Sequence, residues 1–419
     1  MGCFDRRGTE KGLKDLGGSI LVVLLCAEMS APLFAQAPVV GSNGAVRIIG
    51  TDMAVLETQD VRKDLPCSVM PIKPVLGFDL RFHAGYEVSV PLRELAGSEN
   101  QLTILFRVTQ DNHKDEPYYF MQKMRVPPLA DDAHGEATWQ GAIDLGEGNF
   151  HVDWLMRDRA ERVCSFYWDM DVFLPAKDKQ MALEIQPGFV QRAEWEQFIE
   201  EPPVERTQNA QPLNVKVLVN FAPQNAGAAA MRPMDTQALV SILRRISREP
   251  QFAKFSLVAF NIQEQKVLYR QRSANRIDFP ALGEAINGVK LGTVDPKRLA
   301  NKHGDTEFLT ELIQKEMRSD DHPDALIFAG PKIMLDESMP QDALKPFASD
   351  LDYPVFYMNY TLNPQAQPWK DSISRAVKIF KGTEYTISRP RDLWFAVSEM
   401  VSHIVKLKHG KNSLPISSQ

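Results

Sequence analysis

The sequence lacks the features that identify several large classes of protein. Its 419 residues carry a formal net charge of −6, and no cluster of Lys and Arg interrupts that acidic balance. Because neutralising nucleic-acid phosphates needs localised positive charge, this composition argues against a nucleic-acid partner. No apolar run reaches the ~20 residues that a membrane-spanning helix needs. We therefore expect a mature chain without a membrane span.

Motifs of common catalytic and cofactor sites are missing as well. The chain contains no Gly-x-Ser-x-Gly elbow, no His-Glu-x-x-His helix, no P-loop and no Cys-x-x-Cys pair. Each of these motifs places a nucleophile, metal ligands or phosphate-binding amides at the spacing that its chemistry requires. Their absence predicts a protein that has no cofactor and is not an enzyme of these classes.

The first segment has the order of a secretion signal. Four basic residues precede the apolar run 20–27, and small residues follow from Ser30 to Ala37. This order is typical of a signal that is cleaved on export. We predict a signal peptide over residues 1–35 and an extracytoplasmic protein, periplasmic or secreted. The alternative is a short buried strand with a disordered tail.

Cysteine is scarce in the mature chain. Cys3 and Cys26 fall within the predicted signal, which leaves Cys67 and Cys164. Two cysteines allow a single intramolecular pairing, and an oxidising compartment permits it. A disulfide between them and two separate buried thiols are both compatible with the sequence.

Length predicts more than one domain, because single hydrophobic cores stop growing beyond ~250–300 residues. From Met53 to Leu174, segments with period-two alternation and turn-forming clusters predict about seven strands and an all-β sandwich. The passage Leu145-x-x-Gly148-x-Phe150 resembles the tyrosine corner of immunoglobulin-like sandwiches, with Phe150 at the position of the Tyr. We therefore predict an N-terminal immunoglobulin-like β-sandwich.

The second half alternates short apolar runs with amphipathic helical patterns. Runs such as Val215–Val219 and Ala325–Ala329 predict buried strands, and stripes such as Leu239, Ile242, Leu243 and Ile246 predict helices between them. Crossovers of this kind predict a parallel sheet with helices on both faces. The predicted division is a signal peptide at 1–35, a flexible lead-in at 36–52, the sandwich at 53–176, a linker with a short helix at 177–212, an α/β domain at 213–408 and a disordered tail at 409–419.

This order of elements resembles the von Willebrand factor type A (VWA) domain. Asn214–Asn220 resembles its first strand, and Ala325–Gly330 resembles the strand that usually ends in Thr-Asp-Gly. Gly304-Asp305-Thr306 resembles the turn that opens the helix after its second strand, and Phe380–Tyr385 resembles its late Gly-containing passage. The resemblance implies a doubly wound, Rossmann-like α/β fold of a secreted bacterial type.

The metal-ion-dependent adhesion site of that family departs here from its pattern. The family uses Asp-x-Ser-x-Ser after the first strand, a Thr from a second loop and an Asp after the central strand. The corresponding positions are Asn220, Ala222, Gln224, Thr306 and Gly330. Mg²⁺ needs several oxygen ligands, with carboxylates supplying the charge. The resemblance therefore implies a degenerate site without metal, and we take these positions and Asp305 as candidate ligand-facing loops.

Other polar clusters have plainer interpretations. The segment 303–306, His-Gly-Asp-Thr, suggests either a polar binding loop or a helix cap with a solvated His303. Asp320-Asp321-His322-x-Asp324 precedes its strand and indicates a charged turn. His151-x-Asp153 and Asp169-x-Asp171 are typical of a solvated strand face. Asn359-Tyr360-Thr361 matches the N-glycosylation sequon.

Two functions from different classes follow from these observations. The first is an extracytoplasmic, non-catalytic binding or scaffold protein that contacts a protein partner without a metal. The second is a hydrolase-like enzyme with a site near His303 and Asp305. The sequence names neither the partner nor a small-molecule ligand.

Overall fold

The computed structural model describes residues 37–38, 48–194, 196–206, 212–224, 228, 230–288, 304–333, 341–349, 351–362, 364–365 and 369–412. The predicted signal peptide, most of the predicted lead-in and His303 lie outside these residues. The strands are β1 Ala37–Pro38, β2 Ser68–Leu76, β3 Phe82–Pro91, β4 Asn100–Gln110, β5 His113–Val126, β6 Glu136–Leu145, β7 Gly148–Arg157, β8 Val163–Val172, β9 Val190–Arg192, β10 Leu213–Asn220, β11 Phe252–Asn261, β12 Lys266–Ala274, β13 Ala325–Pro331, β14 Val355–Tyr360 and β15 Thr383–Ile387. The α-helices are α1 Gly50–Thr58, α2 Pro233–Ser247, α3 Phe279–Asn287, α4 Gly304–Met317, α5 Gln341–Ser349, α6 Ser372–Ile379 and α7 Pro390–Asn412.

The chain divides into two compact units. The first unit comprises Met1–Pro74, Ala84–Ile143 and Gly148–Asp171, and the second comprises Val75–His83, Asp144–Glu147 and Val172–Gln419. Two short segments from the N-terminal half therefore belong to the second unit. Among the described helices, none combines the length and the apolar character that crossing a bilayer requires.

The first unit is built on antiparallel strands. Its five-stranded sheet has the order β1-β5-β4-β7-β8. Helix α1 covers part of one face of this sheet, where Leu56 packs with Leu105, Met121, Leu155 and Val163. On the opposite face, the ring of Tyr86 meets Phe106 and Trp154 edge to face, with ring centroids 5.5 and 5.4 Å away. A disulfide joins Cys67 to Cys164 on β8, with a Cα–Cα distance of 6.3 Å.

The second unit is built on a six-stranded sheet with the order β12-β11-β10-β13-β14-β15. Its inner strands β10, β11, β13 and β14 are buried along nearly their whole length, as a sheet covered on both sides requires. Buried side chains of α2, α3 and α7 form the core on one face. Those of α4, α5 and α6 form the core on the other. The carboxyl ends of β10, β13 and β14 consequently meet at one edge of the sheet.

The predicted fold class, an immunoglobulin-like sandwich followed by a VWA-like doubly wound domain, is wrong. More residues lie in strands than in helices, and the six-stranded sheet is mixed because β12 runs antiparallel to β11. The chain reverses in the tight turn after Asn261, where Gln265 takes a left-handed conformation with φ 50°. A four-stranded sheet of order β2-β3-β6-β9 includes residues 190–192, which the sequence assigned to the linker. Residues 50–58, divided in the prediction between the flexible lead-in and the sandwich, form helix α1.

Candidate functional site

Three residues form one row across the carboxyl edge of the six-stranded sheet. Gly330 on β13 pairs with Asn359 on β14, and Ala329 pairs with Val219 on β10, which places Asn220 beside Gly330. Side chains in register on neighbouring parallel strands face the same side of the sheet. The core on the α4–α6 side contains Leu218 and Tyr357, so the row faces that side as well. We call Asn220, Gly330 and Asn359 the edge row.

Asn220 is fully buried, and its side-chain oxygen is hydrogen-bonded to the main chain. Its Oδ1 accepts hydrogen bonds from the backbone N–H groups of Ala222 and Ile262, each at 3.2 Å. The side chain therefore holds the loops after β10 and β11 together. A carboxamide oxygen used in this way is not available as a ligand.

Gly330 fits the row because it has no side chain. Its φ is 155°, and a Cβ added there would lie 2.9 Å from Cβ of Asn220. A larger residue at this position would have to displace the buried Asn220. Because β10 and β13 lie so close together here, a side chain with a carboxylate would not fit at position 330.

The other predicted loop residues lie along the same edge. Ala222 is fully buried, and Thr306 is buried in the first turn of α4, where its carbonyl oxygen accepts from the Thr310 hydroxyl at 2.7 Å. Asp305 Oδ1 accepts from Gln265 Nε2 at 2.9 Å. Gln224 is half-buried beyond the end of β10. Of the six candidates, the structure brings Asn220, Ala222 and Gly330 together.

Within the described residues, no group of three or more His, Cys, Asp and Glu side chains is arranged to hold a metal ion. The predicted lack of a metal or cofactor remains a prediction. The same is true of the hydrolase alternative, because His303 lies outside the described residues.

Sequence reasoning missed a buried polar network next to the edge row. The Asp371 carboxylate accepts from the Tyr357 hydroxyl at 2.9 Å and from the Ser374 backbone N–H at 2.8 Å, which caps α6. The Ser374 hydroxyl and Asn359 Nδ2 both donate to Glu384 Oε1, at 2.9 and 3.0 Å. Three separate segments, β14, the start of α6 and β15, supply these groups, so no local motif reveals them.

Burial controls the proton affinities in this network. It raises the pKa of the Asp371 carboxyl above its ordinary value, although hydrogen bonds from Ser374 and Tyr357 act in the opposite sense. Burial, together with the negative charge of Asp371, raises the pKa of the Tyr357 hydroxyl well above 10.0. The Tyr357 hydroxyl therefore stays neutral and donates a hydrogen bond to the Asp371 carboxylate.

On the other face of the sheet, the same edge carries exposed apolar side chains. Met234 at the start of α2 is 65% exposed, and Leu362 after β14 is 42% exposed. A hydrogen bond links the segments that carry these two side chains: the hydroxyl of Tyr360, two residues before Leu362, donates at 3.1 Å to Oδ1 of Asp235, which follows Met234. Asp235 lies in the first turn of α2 and pairs with Arg232 at 2.8 Å. We call Arg232, Met234 and Leu362 the edge patch.

The remaining polar clusters are occupied by internal contacts. Asp321 pairs with the buried Lys216 and Asp324 with Lys408, each at 2.9 Å, which agrees with a charged turn. Asp153 is buried rather than solvated, because Arg107 Nε and Gln59 Nε2 both donate to it at 2.8 Å. The interpretation of His151-x-Asp153 as a solvated face was therefore wrong.

The sequon at Asn359 is not presented for glycosylation. Asn359 is fully buried in β14, and its Nδ2 atom, to which a sugar would attach, donates to Glu384. An acceptor asparagine has to lie on the surface.

His83 in the second unit is enclosed by two carboxylates. Its Nδ1 lies 2.7 Å from Asp144 Oδ1, and its Nε2 lies 3.0 Å from Asp79 Oδ1. Burial alone would lower the pKa of the ring, but the hydrogen bonds and charges of Asp144 and Asp79 outweigh it and raise that pKa to about 10. With both nitrogens engaged, the imidazole has no free atom for a substrate.

The raised pKa of His83 predicts a pH-dependent stability. The folded-state pKa of about 10 exceeds the ordinary value of 6.5. The stabilisation is therefore fully present below pH 6.5 and is lost as pH rises through 10. We expect His83→Gln to lower the free energy of unfolding near pH 6 by about 1–2 kcal/mol, since the ring is partly exposed. At pH values above the folded-state pKa the difference should shrink.

Urea titrations of both proteins across this pH range measure the effect. His134→Gln, which changes an exposed histidine, is the control and should leave the pH profile unchanged. A constant difference between His83→Gln and the unmodified protein at all pH values would contradict the proposed protonation.

Comparisons with known proteins leave the family open. Neither a scan against protein-family models nor a search of curated proteins finds a match. Partly similar solved structures include a structural-genomics target at 11% identity, covering 31% of this chain and 99% of that one with a TM-score of 0.18. The β-glucuronidase of Bacteroides uniformis has 8% identity, coverage of 72% and 34%, and a TM-score of 0.19. The putative ApaA protein of Bordetella pertussis has 12% identity, coverage of 26% and 93%, and a TM-score of 0.16.

The chain spans about a third of the length of that β-glucuronidase. TM-scores this low carry no argument about fold or activity. No comparison supports the predicted resemblance to the VWA domain.

Proposed function

We propose that this protein is an extracytoplasmic, non-catalytic binding protein that contacts a protein partner, without a metal, through the edge patch. The observation that carries the proposal is the pair of exposed apolar side chains, Met234 and Leu362, at the carboxyl edge of the six-stranded sheet. Ligands of open α/β sheets bind outside the carboxyl ends of the strands.

The composition of the edge patch suits a protein interface. Met and Arg are enriched where proteins bind each other. The Asp235 carboxylate fixes the Arg232 guanidinium by two hydrogen bonds, at 2.8 and 3.0 Å, and also binds the Tyr360 hydroxyl. A patch whose polar groups are already oriented loses less conformational entropy when a partner binds.

The disulfide supports the proposed location. Disulfides persist in the periplasm and outside the cell, and are rare in the cytosol. The pair Cys67–Cys164 is therefore in keeping with the predicted signal peptide at 1–35. The disulfide favours an oxidising compartment for the folded chain.

The test is a charge placed in the edge patch. Met234→Glu and Leu362→Glu should each weaken partner binding tenfold or more, because a partner would have to desolvate a carboxylate. Folding stability should change little, since both side chains are exposed. Leu407→Glu is the matched control, because Leu407 is also 42% exposed but lies near the end of α7.

The partner is first identified by photocrosslinking from position 234 in intact cells, and its affinity is then measured with purified proteins. Equal loss of affinity in the Leu407→Glu control would refute the edge patch as the binding surface. Binding that EDTA abolishes and Mg²⁺ restores would refute binding without a metal.

A further inference from the structure

A histidine of the first unit lies between two strands and the end of a helix. His151 on β7 has its Nδ1 2.6 Å from Asp169 Oδ1 on β8, and its Nε2 3.2 Å from Asp153 Oδ1 on its own strand. A third neighbour is Gln59, the residue that ends α1, whose Nε2 lies 2.9 Å from the same Nε2 of the ring. Both ring nitrogens therefore have partners, and one of these partners is an amide.

The Asp153 carboxylate fixes the orientation of the Gln59 amide. Gln59 Nε2 lies 2.8 Å from Asp153 Oδ1, and an ionised carboxylate can only accept hydrogen bonds. Turning the amide over would place its oxygen against the carboxylate oxygen, so the atom at this position is the nitrogen. Arg107 Nε also donates to Asp153, at 2.8 Å, and holds the carboxylate in place.

The orientation of the amide in turn determines which ring nitrogen carries the hydrogen of neutral His151. An amide nitrogen can only donate, so the ring nitrogen 2.9 Å away has to accept, and Nε2 of His151 is unprotonated. The hydrogen of the neutral ring is then on Nδ1, which donates to Asp169. Gln59 thus makes two hydrogen bonds, one to Asp153 and one to the neutral form of His151.

Protonation of His151 is incompatible with this arrangement. The imidazolium has a hydrogen on each nitrogen, so Nε2–H would face the NH₂ group of Gln59. Turning the amide over would satisfy the ring but would place the amide oxygen against Asp153. The charged ring instead has Asp153 Oδ1, already 3.2 Å from Nε2, as its acceptor. Because the His151 side chain is 27% exposed, a proton can reach it from the solvent and displace Gln59.

Gln59 depends on these contacts because its backbone is strained. Its φ is 55°, a left-handed conformation that glycine adopts readily and that costs free energy in other residues. In this conformation its backbone N–H donates to the Val55 carbonyl at 3.2 Å and closes the last turn of α1. Loss of the side-chain contacts therefore releases this turn. The preceding part of the helix stays attached, because Arg107 donates to the Leu56 carbonyl at 3.1 Å.

We propose that His151 is a pH-sensitive latch for the last turn of α1, closed on Gln59 when the ring is neutral and open when it is protonated. Histidine is the side chain whose charge ordinarily changes within the physiological pH range, which suits it to this role. The latch belongs to the first unit and is independent of the function proposed above.

The surroundings of the ring offset the charge that it gains. The charged and titratable groups around it are Asp153 on β7, Asp169 and Tyr167 on β8, Arg107 on β4 and Asp60 after α1. Arg107 pairs with Asp153 in both states of the latch. The Asp169 carboxylate, already in contact with Nδ1, then balances the new positive charge.

Nitrogen NMR of the unmodified protein tests the closed state. At pH values above the titration of His151, its ring signals should be those of the tautomer with hydrogen on Nδ1 and a free lone pair on Nε2. The opposite tautomer, with the hydrogen on Nε2, would overturn the proposal. This measurement needs no variant, so it remains decisive if a substitution prevents folding.

The proton affinity of His151 in a variant without the amide gives the second test. Gln59→Ala removes a partner of the neutral ring and leaves both carboxylates to the charged one. We expect the variant to bind the proton about threefold to tenfold more tightly, because a hydrogen bond of ordinary strength is lost from the neutral form alone. Thr58→Ala is the matched control, since the Thr58 hydroxyl bonds within the helix, to Val55. An unchanged proton affinity in Gln59→Ala would refute the latch.

Amide exchange measures whether the latch moves the helix end. Protection of the Gln59 N–H, corrected for the intrinsic pH dependence of exchange, should fall about fivefold or more as His151 is protonated. In His151→Gln, which cannot take up a proton, this pH dependence should disappear. His113→Gln changes an exposed histidine of the same unit and should behave like the unmodified protein. Protection that does not follow the protonation of His151 would overturn the proposal, whereas partner binding at the edge patch is measured separately.

Discussion

Reducing the Cys67–Cys164 disulfide should lower the free energy of unfolding of the first unit by about 4–5 kcal/mol. The two cysteines are 97 residues apart, so the bond closes a long loop. Cross-linking a loop of this length restricts the unfolded chain much more than the folded one. The bond also fixes a segment that runs beside β8, where the Leu65 N–H donates to the Val163 carbonyl at 3.1 Å. We expect this segment to exchange its amide protons first when the bond is cut.

Hydrogen–deuterium exchange with and without dithiothreitol checks this prediction, because peptides report on each unit separately. Protection of β4 and β8 should fall, whereas that of β10 and β13 should stay the same. A variant with Ala at both positions is the control, and dithiothreitol should not change it further. Unchanged protection in the reduced first unit would show that the bond adds little stability.

The periodicity of the sequence predicted most strands of the second unit, but not how the chain connects them. The predicted strands Val215–Val219 and Ala325–Ala329 are confirmed as parts of β10 and β13. Alternation of apolar residues identifies a strand without giving its direction, since buried strands of either direction are apolar. Direction depends on the turn, where Gln265 takes a positive φ that glycine usually provides.

Elements without a strong periodic signal were missed. Helix α1 has hardly any amphipathic pattern, and its two buried residues are Leu56, which packs against the sheet, and Asp52, which pairs with Arg157. Phe78–Phe82 alternates with the period of a strand, but strand β3 begins at Phe82 and the preceding residues form a turn. In both cases the tertiary contact decides the local structure, and the contact is with a distant part of the chain.

The candidate site could be located from the sequence only in part. Asn220 and Gly330 were singled out because they stand at strand ends that correspond, in the resemblance to the VWA domain, to its metal site. Asn359 was noted only as a sequon, since the register of β14 against β13 cannot be read from composition. The partners Asp371 and Glu384 come from later segments and carry no motif. Close packing of these groups depends on long-range register, which a single sequence does not specify.

A buried ionic network lies at the opposite end of the second unit. In the sequence, one residue, Lys216, indicates it. Lys216 interrupts the apolar strand β10 and is only 1% exposed. Its Nζ lies 3.3 Å from Glu316 Oε2 and 2.9 Å from Asp321 Oδ2. Glu316 also pairs with Arg270. Burial would raise the pKa of Asp321, but its hydrogen bond to Lys216 and the charge of Lys216 outweigh this and lower it.

Glu316→Gln should destabilise the second unit by about 3–5 kcal/mol, because it removes the negative charge shared by two cations, one of them fully buried. The double change Lys216→Met with Glu316→Leu should recover most of the loss, since apolar residues of similar volume do not need an ionic partner. Asp342→Asn, which breaks the exposed pair with Lys345, is the control and should have no measurable effect. Urea denaturation followed by hydrogen exchange of β10 and α4 measures all three. If Glu316→Gln is as stable as the control, the network does not hold the amino end of the sheet, and the buried charge of Lys216 is compensated by Asp321 alone.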